Sequence, residues 1–158
     1  MSRLYLLAVT ALMVLVGAVV YSGGSAAKKE QPVEIQAQIL QELHSRFATL
    51  SDAHLKEVDC KPAFPYDTSK STVCFMSTVR VERLLPIFQR SLAQIAYTDG
   101  WTQDYGVWGA FYSLNARPKW TFGVDLKPIA DSVDFEAYGE VRGFESFVVV
   151  TVSSQPKP

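Results

Sequence analysis

The sequence predicts an α+β domain in which two helices pack against a mostly antiparallel sheet. Two segments carry apolar residues at spacings of three and four, and several others are rich in β-branched and aromatic residues. One pair of the latter is joined by a short turn, as in a hairpin. This combination is typical of a two-layer sandwich. The pattern leaves open whether the first helix covers the second face of the sheet and so adds a third layer.

The first 27 of the 158 residues have the composition of an export segment. Residues 4–21 carry no charge, Arg3 precedes them, and the small residues of 22–27 follow. These are the parts of a secretory signal peptide. The apolar run is also about long enough to span a bilayer, which leaves an uncleaved membrane anchor as the alternative. We therefore predict one extracytoplasmic domain over residues 28–154, with a loose tail over 155–158.

The charge distribution argues against a nucleic-acid partner. The formal net charge is −1, and the basic residues are scattered from Lys28 to Lys157. Nucleic-acid-binding domains usually concentrate basic residues in one patch or stripe. Contact with a membrane is expected only through the N-terminal segment, if that segment is not cleaved.

Two cysteines, Cys60 and Cys74, predict a disulfide bond. An even number of cysteines in an exported chain favours pairing. The loop between them is rich in turn-forming residues, and closing a loop of this size stabilises a fold by about 3 kcal/mol in the chain-entropy model. The expected role is structural.

The elements follow in order along the chain. An amphipathic helix is predicted over residues 32–50, because Pro32 suits a first helical turn and an apolar stripe follows it. A short turn at Ser51 and Asp52 comes next. A second helix is predicted over 84–98, with Pro86 in its first turn and Gly100 ending it.

The strand predictions rest on β-forming residues. They cover residues 72–79, a hairpin of 107–114 and 120–126 with its turn at 115–118, and 147–152. Residues 128–146 are predicted to form a loop, with a short strand near 135–141 as an option.

A turn with an even number of residues would place Phe111 opposite Phe122 on the core face of the sheet. Trp108 and Tyr112 would then lie on the second face. The last strand carries apolar residues on both faces, which normally means cover on both sides. The candidate binding face predicted from this register consists of Trp108, Tyr112, Phe147 and Val149. The inference depends on the register, since a slip of one residue exchanges the two faces of a strand.

No catalytic, metal-binding or cofactor-binding motif is present, and no cofactor is predicted. His44 and His54 are the only histidines, and both are expected at the surface. Carboxylates are frequent near the end of the chain, but nothing in the sequence fixes their separation. Those considered are Asp131, Asp134, Glu136, Glu140 and Glu145.

The predicted function is therefore that of a non-enzymatic exported envelope protein, either periplasmic, secreted or anchored outside the cytoplasmic membrane. It would act as an interaction or assembly module for an envelope protein partner. The alternatives are a carrier of a small apolar ligand and a small carboxylate-dependent hydrolase. A carrier would need an enclosed apolar cavity, and a hydrolase would need two carboxylates converging in a cleft.

Overall fold

A computed structural model describes residues 31–62, 71–129, 138 and 141–154. Within these residues, two helices and a seven-stranded antiparallel sheet confirm the predicted α+β class. The predicted export segment (1–27) and the tail (155–158) lie outside the described residues, as does most of the optional strand at 135–141. Neither described helix is long and apolar enough to cross a membrane.

The elements run in the order helix, two strands, helix, five strands. They are α1 (Pro32–Ala48), β1 (Leu55–Val58), β2 (Thr72–Ser77), α2 (Val81–Leu92), β3 (Ala96–Tyr97), β4 (Thr102–Asp104), β5 (Val107–Leu114), β6 (Trp120–Pro128) and β7 (Ser146–Ser154). A single 3₁₀ turn at Ser51–Ala53 joins α1 to β1. The strand order is β1-β2-β7-β6-β5-β3, and β4 also pairs with β5. The last strand of the chain is therefore central in the sheet.

Helix α1 forms where the sequence predicts it. Pro32 occupies the first turn, where its missing N–H costs nothing. The Glu34 carboxylate accepts a hydrogen bond from the Gln31 backbone N–H at 3.3 Å, which satisfies one donor at the helix start. Ile39, Leu43 and Phe47 form the buried stripe.

Helix α2 begins earlier than predicted, so the placement of Pro86 in its first turn is wrong. The Arg80 carbonyl accepts hydrogen bonds from the N–H groups of Arg83 and Leu84, which starts the helix at Val81. Pro86 is the sixth helical residue. Because proline has no backbone N–H, the Glu82 carbonyl lacks the hydrogen bond that it would otherwise accept within the helix. Both residues are exposed, and water can take the place of the missing donor.

Both helices pack on the same face of the sheet, which we call the inner face. Phe47 of α1 and Phe88 of α2 are in ring contact at 5.1 Å, and the two helices share one core cluster with the sheet. The optional third layer formed by α1 on the second face is therefore not present. The buried sheet residues of this core are Val73, Phe75, Ala96, Ala110, Tyr112, Leu114, Phe122, Val124, Leu126, Val148, Val150 and Val152.

In the hairpin, β5 ends and β6 begins at the predicted residues, Leu114 and Trp120, but the turn is one residue longer than predicted and the register differs by one residue. Ser113 pairs with Thr121 and Tyr112 with Phe122, so the turn contains five residues, 115–119. The faces of β5 are therefore exchanged relative to the prediction from an even turn. Tyr112 points into the inner core, and Phe111 lies on the second face, which we call the outer face.

The predicted disulfide between Cys60 and Cys74 is confirmed. The two Cα atoms are 5.3 Å apart, and 14 positions separate the residues in the chain. Cys74 is fully buried on the outer face of β2, opposite Val149 of β7. The bond therefore fixes the segment after edge strand β1 to β2, the neighbouring strand in the sheet.

Candidate functional site

The outer face of the sheet is divided into two halves of different character. On the β2 and β7 side, the covered half, apolar side chains pack beneath residues of the chain that follows β6. Its buried members are Cys74, Met76, Ile129, Phe147 and Val149, and the partly buried ones are Val58, Cys60, Tyr138, Val141 and Phe144. This half is a second, smaller core.

On the side of β4, β5 and β6, the outer face is a groove of about 590 Å³, which we call the open half. Its floor and walls are made by outer-face residues of these strands together with the turns at their edge. Its lining includes Asp99, Asp104, Tyr105, Gly109, Phe111, Asp125 and Lys127. Gly123 lies beneath the Phe111 ring.

Two glycines make the floor of the open half flat. Phe111 pairs with Gly123, and a Cβ atom added to Gly123 would lie 3.3 Å from a carbon of the Phe111 ring. Asp125 pairs with Gly109 in the same way, and a Cβ on Gly109 would lie 2.9 Å from the Asp125 carboxylate. Each larger side chain therefore lies across a glycine of the neighbouring strand.

Phe111 remains 80% exposed although it occupies the middle of a strand. Packing over a glycine accounts for its orientation, but it leaves most of the ring in contact with solvent. Large apolar side chains exposed on a sheet face often mark interaction surfaces when they are part of a larger patch.

A second aromatic residue, Tyr105, stands at the rim and is fully exposed. It occupies the tight turn between β4 and β5 with φ 45°, and Gly106 follows with φ 81°. Two positive φ values are typical of a two-residue hairpin turn, where asparagine and glycine are preferred. A bulky residue in this conformation costs about 1–2 kcal/mol, and Tyr105 recovers none of that through packing.

The open half is acidic. Asp99, Asp104 and Asp125 line it, against one basic residue, Lys127. Desolvation beside the strands raises the pKa of Asp125, and the positive charge of Lys127 opposes this. At the rim, the Tyr97 hydroxyl donates a hydrogen bond to Asp99 at 2.9 Å.

The predicted binding residues do not share one surface. Trp108 and Tyr112 belong to the inner core, with Tyr112 only 2% exposed, whereas Phe147 and Val149 are buried in the covered half of the outer face. The sequence analysis missed Phe111 because the even turn assigned it to the core. The five residues between Leu114 and Trp120, counted as an odd turn, would have identified it.

The titratable residues considered for catalysis are dispersed. His44 makes a 2.8 Å contact with Glu57 and stacks on Phe75, and His54 lies in the left-handed position after the 3₁₀ turn. Glu145 lies 3.5 Å from Arg80. The other four predicted carboxylates, Asp131, Asp134, Glu136 and Glu140, lie outside the described residues. Within the described part of the chain, no group of three or more His, Cys, Asp or Glu residues is placed to hold a metal ion.

No protein-family model matches the chain, and neither the curated proteins nor the solved structures gave a match.

Proposed function

We propose that this chain is an exported, non-enzymatic interaction module whose open half binds a basic, extended segment of a partner protein. The observation that carries the proposal is Phe111, an aromatic ring 80% exposed on a glycine floor in the middle of a strand. Such a ring on a flat surface offers an anchor around which a partner excludes water.

The aromatic residues of the open half support a binding role because they do little for the fold. Phe111 buries only a small part of its surface, and Tyr105 buries none while it holds an unfavourable φ. Strain that brings no packing is a reason to look for a functional role. Both side chains keep their rings available to a partner.

The charge of the open half supports a basic partner. Three carboxylates face one ammonium group along the groove, so an approaching lysine or arginine gains attraction and an acidic segment is repelled. A cation placed beside Asp125 would also favour the charged form of a carboxylate whose pKa is now raised by desolvation. Exposed aromatic rings attract the same cations through their faces.

The disulfide bond supports an extracytoplasmic setting. Disulfides persist in oxidising compartments and are rare in a reducing cytosol, and the pairing of Cys60 with Cys74 is compatible with the predicted export. In that setting the partner would be another envelope or secreted protein.

The test uses two synthetic peptides of equal length that share alternating apolar residues. One carries lysine at the polar positions and the other glutamate. We expect the labelled basic peptide to bind the full-length protein in an anisotropy titration, more weakly as salt is raised, and the acidic peptide not to bind. Phe111→Ser and Asp125→Asn should each weaken the binding of the basic peptide.

Matched controls are available elsewhere on the surface. Val33 is 74% exposed at the start of α1, and Asp52 is exposed beyond its end. Val33→Ser and Asp52→Asn repeat the same chemical changes outside the open half and should leave binding unchanged. Equal binding of both peptides, no binding of the basic one, or no effect of Phe111→Ser would each refute the proposal.

A further inference from the structure

A second concave surface, which we call the edge cleft, lies where the end of α2 meets the link between β3 and β4. Its volume is about 470 Å³, within the range of about 300–1,000 Å³ typical of small-molecule sites. The larger residues that line it are Gln89, Tyr97, Trp101, Tyr112 and Asn115, and the others are small. It borders the open half at Thr98 and Gly100, which line both.

The wall of the edge cleft contains a buried hydroxyl group with a hydrogen to donate. The Trp101 indole Nε1–H donates to the Tyr112 hydroxyl oxygen at 2.8 Å, and the Tyr112 ring stacks on Phe122 with 5.1 Å between centroids. These contacts fix the phenol, which is only 2% exposed. The described part of the chain provides no acceptor for the hydroxyl hydrogen of Tyr112.

The Tyr112 oxygen has a partner in Trp101, while the hydroxyl hydrogen is still available to an acceptor in the edge cleft, because a phenol both donates and accepts. Burial also raises the pKa of Tyr112, although the hydrogen bond from Trp101 opposes this. The phenol therefore keeps its proton at neutral pH. An acceptor atom in the edge cleft would complete its hydrogen bonding.

The rest of the lining is polar but uncharged. Among the residues that the structure describes, no Asp, Glu, Lys, Arg or His lines the edge cleft. Gln89 and Asn115 are exposed, and the structure shows no side-chain hydrogen bond from either amide to another described residue. Each amide offers both donors and an acceptor. Trp101, half-buried, adds a flat apolar surface beside them.

We propose that the edge cleft binds a neutral carbohydrate of one or two rings. A sugar ring has an apolar C–H face, which suits the Trp101 indole, and a rim of hydroxyl groups that both donate and accept. One hydroxyl oxygen accepts the unmet hydrogen of Tyr112, and the amides of Gln89 and Asn115 pair with others. The uncharged lining disfavours acidic sugars, because a buried carboxylate would lack a counter-charge.

The experiment is a titration of the full-length protein, kept in a detergent without a sugar head group, with single saccharides. The panel contains glucose, galactose, N-acetylglucosamine and their β-1,4-linked disaccharides, with glucuronate and indole as comparison ligands. Tryptophan emission reports contact with Trp101, and calorimetry gives the affinity. We expect at least one neutral saccharide to bind and to shift the emission, and glucuronate to bind more weakly.

Three variants assign the site. Tyr112→Phe removes only the hydroxyl group and should weaken saccharide binding about five- to tenfold, which corresponds to one hydrogen bond. Gln89→Ala changes an exposed side chain and should also weaken it. Tyr105→Phe removes a hydroxyl group that lies outside the edge cleft and should have no effect. The thermal midpoint of each variant shows that it is folded.

The outcomes separate the proposal from its rivals. Binding of a neutral saccharide that falls in both Tyr112→Phe and Gln89→Ala supports it. Binding of indole alone would show a site for flat aromatic compounds and overturn it. Absence of saccharide binding, or binding that neither variant changes, would overturn it as well. None of these results depends on the basic peptide, whose binding is assigned to Phe111.

Discussion

The two halves of the outer face are built on the same sheet and differ in what lies over them. In the covered half, Phe147 is 1% exposed beneath the chain that follows β6. In the open half, Phe111 stands on the same side of the sheet and is 80% exposed. Because both residues are phenylalanines in strands, the difference in exposure comes from the chain segment that packs over Phe147 and not from the residue type. One half stabilises the domain, and the other is exposed to solvent.

The largest expected effect separates the two phenylalanines. Phe147→Ala removes a fully buried ring and should lower the free energy of unfolding by about 3–5 kcal/mol. Phe111→Ala removes only a cross-strand contact with Gly123 and should lower it by at most about 1 kcal/mol. Urea denaturation of both variants measures the difference. Similar losses would show that the open half is covered in solution.

The disulfide bond lies in the covered half. Its contribution to the free energy of unfolding should be nearly as large as that of the Phe147 ring. Replacing Cys60 and Cys74 together by alanine opens a loop whose closure contributes about 3 kcal/mol. The thermal midpoint should fall accordingly. Reduction of the native protein by a thiol serves as the control and should lower the midpoint in the same direction. An unchanged midpoint in the double variant would contradict a stabilising role for this bond.

In the open half, one substitution is expected to raise the free energy of unfolding, by a smaller amount than the losses above. Tyr105→Asn places a residue suited to positive φ in the turn and should raise the free energy of unfolding by about 1 kcal/mol. Tyr105→Val should lower it, since a β-branched residue tolerates this conformation poorly. If both substitutions destabilise the domain, the Tyr105 ring has a packing role that its full exposure does not indicate.

The smallest effect concerns Asp125 and depends on pH. Because the folded-state pKa is raised by desolvation, the folded state binds more protons than the unfolded state between the ordinary and the raised pKa. The free energy of unfolding should therefore fall as pH rises through that window. Asp125→Asn removes this loss and should raise the free energy of unfolding at neutral pH by under about 1 kcal/mol, because the side chain is exposed. The thermal midpoint should rise slightly as a result.

Asp125→Asn should raise the free energy of unfolding by less when the pH is below the ordinary pKa of an aspartate. At such a pH the wild-type carboxyl group is already protonated, so the substitution removes no charge. Asp52→Asn, at an exposed position away from the sheet, is the matched control. A gain for Asp125→Asn that is equal at both pH values would show that charge is not its cause.

Several elements were predictable because their signals are local. The amphipathic stripe and Pro32 predict α1, and the run of valines around Val149 predicts β7. The short strands β1, β3 and β4 were not predicted, since their residues are mostly exposed and polar and gain their order from pairing with neighbours. Helix α2 ended at Leu92 instead of 98 because β3 pairs with β5 directly afterwards.

The candidate site was less predictable than the fold. The sequence placed the aromatic residues of β5 in a strand correctly, but which of Phe111 and Tyr112 faces the core depended on whether the turn has four or five residues. The edge cleft is also lined by residues that are far apart in the chain, such as Gln89 of α2 and Tyr112 of β5. Neither arrangement leaves a local pattern in the chain.

By itself, the amino-acid sequence determined the α+β class, the approximate positions of the two helices and the longer strands, and the pairing of Cys60 with Cys74. These follow from periodicity, backbone preference and the count of two cysteines. Only the tertiary structure decided that both helices share one face, that Phe111 faces outward and that Tyr112 lies in the wall of a cleft. The physical reason is that the side-chain period of a strand is two, so the register set by one turn decides which aromatic ring is buried and which is exposed to solvent.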